Sequence, residues 1–379
     1  MNEYRNIEIL KGFTIFIILI SNSIKYWIVF QDEILITYLI GFPIMIFELF
    51  GSFLFIFINS FTVIFILEKK MGCVPEKNKR NKIIKQGIFL ILLGLPFNII
   101  LNPLVIYPFN LWGWNILTFL GFSQIICYFA YKLVRWTRII IGLALIFLTF
   151  GIRELLYIWR DVNPIAYILD FIIVSPYPNY SLLPYASICF FSTVFGELFY
   201  EAKLLDSKIA EINAITSILK YGIVLLIIGL VIPIAEFRPV ITLEDYDPNK
   251  YPFIDILLIL KSPFLVYIPN LPGFLLKGTP ANLFFSMGIA LLCMGLIFYS
   301  NYYKHNTTRI SYYFTLLGKF SFTLLFIQFI FLYCFYHRLS LLILYPFVLI
   351  YLLLISMIIY LWEKYMNKFP YIDKIILKF

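Results

Sequence analysis

About ten times along this chain, a run of roughly twenty apolar residues recurs with few charges inside it. A run of that length is what a helix needs to cross a bilayer, and in lipid a spanning segment must satisfy its own backbone hydrogen bonds. Composition agrees. The 379 residues are 62% hydrophobic and 20% aromatic but only 13% charged, where a soluble domain is about half apolar and a quarter charged. The expected fold is all-α, a polytopic membrane protein with about ten transmembrane helices, and residues 1–379 read as a single membrane domain.

The spans are expected at Ile7–Phe30, Met45–Leu67, Gln86–Tyr107, Gly113–Leu133, Thr137–Ile158, Leu182–Tyr200, Ser217–Ala235, Ala281–Tyr302, Tyr313–Tyr336 and Leu341–Trp362. Loop charges give them an orientation. Lys69, Lys70, Lys77, Lys79, Arg80, Lys82 and Lys85 cluster between the second and third spans, a strong cytoplasmic mark. With this span count the same side receives Lys132, Arg135 and Arg138, then Lys203 and Lys208, then Lys304, Arg309 and the lysines of the tail. Asp32, Glu33, Asp161, Asp170, Glu244, Asp245, Asp247 and Asp255 fall opposite. Both termini are therefore expected in the cytoplasm, with the plasma membrane as the expected residence. The net charge of +9 is distributed as topology requires and not as a nucleic-acid face. Cys73, Cys127, Cys189, Cys293 and Cys334 show neither metal spacing nor a disulfide framework. The N-terminal apolar run has no small-residue cleavage site after it and reads as a retained helix.

Two outer connections are long. Trp159–Ser181 holds an apolar piece interrupted by Asp170, and Glu236–Pro280 turns apolar from Phe253 to Leu276 between prolines. Both read as interfacial or re-entrant segments.

The first span carries a polar stripe. Lys11 and Asn22 are eleven residues apart, three turns plus roughly 20°, so they share a helix face about 16 Å apart, and Lys25 extends the stripe. A plain anchor helix has no use for such a stripe, although a frayed span with Lys25 snorkelling is the simpler alternative. Asn59, Asn98, Asn102, Asn115, Gln124 and Gln328 lie at membrane depth, Glu48 and Glu197 near span ends, and Lys319 early in the ninth span. Taken singly, each is best read as an interhelical hydrogen bond; together they line a polar interior. The two histidines are His305 in a cytoplasmic loop and His337 at the outer end of the ninth span. No Ser–His–Asp spacing, zinc motif or phosphate-cradling glycine loop accompanies them, so residue chemistry alone does not reach a reaction.

RNIEILKGFTIFIILISNSIKYW (Arg5–Trp27) resembles the opening of the heparan-α-glucosaminide N-acetyltransferase catalytic-domain family, which begins with an Arg, an Ile/Val-Asp, an Arg-Gly, an apolar run and a terminal Asn or His. Arg5, Lys11-Gly12 and Asn22 match in place, with Glu8 near the usual Asp. SFLFIFINSF (Ser52–Phe61) resembles that family's second helix, with Asn59 for a Gly, and QGIFLILLGLPFNIILNP (Gln86–Pro103) its third. LWGWNILTFLGFSQ (Leu111–Gln124) is similar to its fourth helix, and more so to YeiB-type bacterial membrane proteins. LKGTPANLFFSMG (Leu276–Gly288) and LGKFSFTLLFIQ (Leu317–Gln328) resemble its later segments.

The resemblance implies an acyltransferase moving an acetyl group from cytoplasmic acetyl-CoA, as acyl donor, to an extracytoplasmic glycan or amino sugar. Its partners would be acyl-CoA, that glycan and the lipid bilayer, with no nucleic acid; a homodimer is compatible. On this reading Asn22 orients the acceptor or carbonyl, Asn98 and Asn102 are further donors, and Lys11, Lys79, Arg80, Arg135 and Arg138 hold the CoA phosphates. Positive-inside topology by itself would explain the same basic residues. The departure lies in the base. The catalytic His of the animal member follows its KYW segment, but the loop here, WIVFQDEILI, has none, and the family's late His is Gln328. Asp32 is the first candidate base and His337 the second. The rival reading is a non-catalytic relative, a transporter or membrane scaffold.

Overall fold

Backbone confined to lipid has only itself to bond with, and the helices of this chain answer that constraint. The computed structural model describes residues 2–28, 46–47, 49–68, 76–101, 107, 111–173, 182–205, 207–235, 273–275, 278–303, 308–336, 338–365 and 373. The described residues are about 91% helical, with no strand. In chain order the helices are α1 (Asn2–Trp27), α2 (Leu54–Glu68), α3 (Glu76–Leu101), α4 (Ile116–Tyr131), α5 (Arg135–Trp159) and α6 (Pro164–Ile173). They continue as α7 (Leu182–Leu204), α8 (Lys208–Ala235), α9 (Pro280–Tyr303), α10 (Arg309–Lys319), α11 (Ser321–Cys334) and α12 (Leu341–Tyr365). A π-helical turn, Leu49–Phe53, leads into α2.

Each expected span coincides with a helix or helix pair, but the count of ten is approximate. Among the described residues, seven stretches are long and apolar enough to cross a membrane: Arg5–Trp27, Phe50–Glu68, Lys77–Ile99, Leu182–Leu204, Lys208–Ile232, Pro280–Ser300 and Leu342–Tyr365. The ninth expected span is not one helix. It breaks into α10 and α11, bent by 76°, and counts as an eighth crossing only if the pair is taken together. The fourth falls on α4, whose 16 residues reach about 24 Å, short of the roughly 30 Å core. The fifth falls on the 25 residues of α5. The third helix also starts earlier than the expected Gln86, at Glu76. Glu, Lys and Arg are strong helix formers, so Lys77, Lys79, Arg80, Lys82 and Lys85 ride on the first turns of α3 and not in a loop.

The chain divides into two compact units, Met1–Ile58 with Cys293–Phe379, and Asn59–Leu292. In the first, α1 packs on α10 through glycines. A Cβ on Gly12 would lie 1.8 Å from the carbonyl oxygen of Phe314, and one on Gly318 would lie 1.9 Å from that of Glu8. Only glycine allows backbones this close, and close approach is what drives helix pairing where lipid removes the hydrophobic force. Phe13 and Phe16 meet the Phe314 ring edge-on beside this contact. At the other end of α1, Trp27 is fully buried among Phe335, Phe347 and Tyr351. The carbonyl of Trp27 accepts from the amides of Arg338 and Leu339, and Ile28 and Leu339 form a parallel bridge.

The second unit repeats the device between α3 and α4. A Cβ on Gly121 would lie 2.4 Å from the Gly87 carbonyl oxygen. The expected outer segment after α5 contains α6, a short apolar helix. Asn163 starts it by accepting from the Ile165 amide. The indoles of Trp112 and Trp114 donate to the carbonyls of Phe171 and Ile172 near its end. Most of the second long connection, residues 236–272, lies outside the described residues.

These contacts set opposite outcomes for one substitution at two glycines. Gly12→Ala forces α1 and α10 apart and destabilises by about 1–3 kcal/mol. Gly151, in α5, has no atom within 4 Å of where a Cβ would stand, so Gly151→Ala lowers the entropy of the unfolded chain and stabilises by about 0.5–1 kcal/mol. Thermal unfolding in detergent measures both; equal shifts would contradict the close contact.

Candidate functional site

The polar stripe of α1 is matched by residues from the far end of the sequence. Asn22 Nδ2 donates to Gln328 Oε1 at 3.4 Å. Gln328, fully buried on α11, donates through Nε2 to the carbonyls of Ile18 at 3.2 Å and Leu19 at 3.1 Å. One glutamine thus bonds both the backbone and the side chain of α1. Beside Asn22, the buried hydroxyls of Ser21 and Ser23 and the Trp27 indole have no hydrogen-bond partner among the described residues. Neither amide titrates, so this pair can hold or orient a carbonyl but cannot take a proton. Asp32 and His337, the two candidate bases, lie outside the described residues, as do Asn102, Glu48 and His305.

At the other end of the stripe, the half-buried Lys11 acts electrostatically on Glu8 and Asp373. Asp373 closes the start of α11. Its carboxylate accepts from Ser321 Oγ at 3.2 Å, the Phe322 amide at 3.0 Å, the Thr323 amide at 3.0 Å and Thr323 Oγ1 at 2.7 Å. Those amides are among the orphan donors of a helix N-terminus, and supplying their acceptor stabilises a helix that starts at the bend. Lys319, the last residue of α10, lies 3.5 Å from Glu363, which also accepts from the Tyr312 hydroxyl at 2.7 Å. No local pattern marks Asp373, because a cap 50 residues from Thr323 has no characteristic spacing; Ser321 and Thr323, good capping residues, are the one visible half of the motif.

In the second unit the amides serve architecture. Asn115 caps α4: its Oδ1 accepts from the amides of Leu117 and Thr118, while Nδ2 donates to the Gly94 carbonyl at 2.6 Å and to Asn98 Oδ1 at 2.9 Å. Asn98 Nδ2 donates to the carbonyls of Leu111 and Gly113, both at 3.0 Å. Both N–H groups of Asn98 are therefore engaged, which removes it as an oxyanion donor and leaves it an interhelical tie.

The basic residues expected to hold phosphates divide into two sets. Arg135 and Arg138, at the start of α5, are ion-paired with the end of α7. Arg138 donates to Glu197 and Arg135 to Glu201, and Arg135 Nε lies 3.3 Å from Glu197. Tyr131 donates to Glu68 nearby. These carboxylates pair both guanidiniums, although Nε and Nη1 of Arg138 have no hydrogen-bond partner among the described residues. Arg80 is exposed on the first turns of α3, and Lys79 donates to the Leu67 carbonyl at 3.1 Å. No group of three or more metal-ligating side chains forms among the described residues.

Asp373 gives this site a pH dependence. Burial pushes its carboxyl above the ordinary 3.8, while its hydrogen bonds and the Lys11 ammonium pull the other way. A raised folded value means the folded state holds its proton more tightly than the unfolded chain. That contribution is fully present below the unfolded value near 4 and is lost as pH rises through the folded one (unfolded reference about 3.9). Asp373→Asn therefore flattens the melting temperature against pH above about 4, and Asp373→Ala, which leaves the α11 amides without their acceptor, destabilises by about 1–3 kcal/mol. Parallel wild-type and Asn curves would contradict the assignment. Comparison of the chain with protein-family models, curated proteins and solved structures found no match.

Proposed function

We propose that this chain is a membrane-embedded acyltransferase that moves an acetyl group from cytoplasmic acetyl-CoA to an extracytoplasmic sugar amine or hydroxyl. It would be a multi-pass protein of the plasma membrane with both termini in the cytoplasm. The observation that carries the reading is the contact of Asn22 with Gln328. Asn22 lies in the first, and Gln328 ends the last, of the segments in which the chain resembles acyltransferases, and they meet although 306 positions separate them.

In this scheme the acceptor nitrogen or oxygen attacks the thioester carbonyl carbon, the C–S bond breaks, and CoA leaves as the thiol. The acceptor proton goes to a base, Asp32 first and His337 second. Asn22 Nδ2 supplies a hydrogen bond to the developing oxyanion, a role that needs a fixed donor and no titration. Lys79 and Arg80 take the CoA phosphates by charge-assisted bonds. Arg135 and Arg138 come after them for that role, since Glu197 and Glu201 already engage them in part.

One observation favours the rival, a non-catalytic transporter or scaffold. Gln328 stands where the resemblance expects a His, and its Nε2 bonds two backbone carbonyls, which suits a helix tie better than chemistry.

A sealed-vesicle assay decides between them. With labelled acetyl-CoA, the reconstituted protein hydrolyses or transfers the acetyl group only when the donor faces the start of α3, and Lys79→Ala with Arg80→Ala raises KM about tenfold, the loss of two charge contacts. No acetyl-CoA turnover or binding from either face would sink the enzyme reading.

A further inference from the structure

Helix α6 presents one continuous apolar face that the described residues leave open. Ile165, Ile168, Leu169 and Ile172 stand at i, i+3, i+4 and i+7, a single helix face, and are 66%, 54%, 41% and 41% exposed. The opposite face is occupied. Ala166 is buried, and Asp170, four residues on, lies 3.9 Å from the Arg160 guanidinium. α6 packs on α5, and its last turn is held from the stretch before α4. There the Trp112 and Trp114 indoles donate to the carbonyls of Phe171 and Ile172 at 2.9 and 2.7 Å. The helix is thus fixed on one side and bare on the other.

The surroundings of α6 say what meets the bare side. Its 10 residues reach about 15 Å, half the hydrocarbon core, so α6 does not cross that core. On α5, Leu148, Leu155 and Trp159 share one helix face and are each more than half exposed. That is the surface a span shows to lipid, and in sequence it leads straight into α6. Trp159 and Tyr167, both more than half exposed, are the amphipathic rings of a membrane–water boundary. Asp161, in the turn between the two helices, is 84% exposed, as a carboxylate at that boundary needs to be. The length of α4 points the same way. Its 16 residues fall roughly 6 Å short of the hydrocarbon core, and Asn115 caps its start. A short span either thins the bilayer or has its end covered by other apolar surface, and α6 is tied to that end.

We propose that α6 is an interfacial helix, set in one leaflet at the start of α4, with Ile165, Ile168, Leu169 and Ile172 among the acyl chains just below the headgroups. Its partner is the lipid surface and not a second copy of this chain. Of the two readings that the sequence leaves open for this segment, interfacial and re-entrant, the first is the one the exposed face supports, because a re-entrant helix would dip toward the bilayer centre. The proposal does not rest on the acyltransferase reading.

The test is photocrosslinking of the full-length protein in phosphatidylcholine vesicles, with Ile168→p-benzoylphenylalanine and, separately, Ile165→p-benzoylphenylalanine. Both positions are exposed, so either variant serves should the other fail to fold. After illumination, mass spectrometry finds the chain shifted upward by the mass of one lipid. Fragmentation maps the new bond to acyl carbons in the half of the chain nearer the ester. Bonds near the acyl termini would place α6 at the bilayer centre and overturn the proposal. Crosslinks to a second copy of the chain in place of lipid, or no lipid adduct in any folded variant, would overturn it equally.

Discussion

A polar side chain inside a membrane has only protein to bond with, and this constraint shapes each unit of the structure. Gln328 meets it by reaching three groups on α1: the Asn22 side chain and the carbonyls of Ile18 and Leu19. Asn115 meets it by bonding two amides of its own helix, the Gly94 carbonyl and Asn98. In both cases one amide fixes a helix against a neighbour in a single register, because a slip of one residue would strand several groups at once. Glycine supplies the complementary half of the design. Gly12 and Gly318 let α1 and α10 approach until backbones touch, and the amides lock what the glycines bring close.

The charged groups follow the same rule at the helix ends. Asp373 gives the first amides of α11 their acceptor where the chain turns by 76°, so the bend is capped and not frayed. Glu197 and Glu201 pair the arginines at the start of α5. Arg138 departs from the rule in an informative way. Its Nε and Nη1 are buried and have no hydrogen-bond partner among the described residues.

Much of the architecture was legible because apolar runs announce membrane helices without reference to the rest of the chain. Helix ends were less so. The start of α3 is hidden by its own composition, since EKNKRNK reads as a basic loop although Glu, Lys and Arg propagate a helix readily. The break at Phe320 is hinted at by Gly318, Lys319 and Ser321, but the carboxylate that caps the helix after it, Asp373, lies 50 residues away. Individual polar residues were found by their depth in the spans, but their roles depend on partners. Asn98 and Asn22 look alike in sequence. One has both N–H groups committed to backbone carbonyls, and the other faces a glutamine from a distant helix. Arg135 and Arg138 likewise read as open charges until Glu197 and Glu201, on another helix, are placed beside them.

The Asn22–Gln328 contact both joins α1 to α11 and defines the candidate site. A double-mutant cycle with Asn22→Ala, Gln328→Ala and the pair, read by reversible unfolding in detergent micelles, measures it directly. The contact predicts a coupling energy of about 1 kcal/mol, within the range of interhelical polar bonds in membranes. Additive losses, with coupling below about 0.3 kcal/mol, would contradict it and separate α1 from the site.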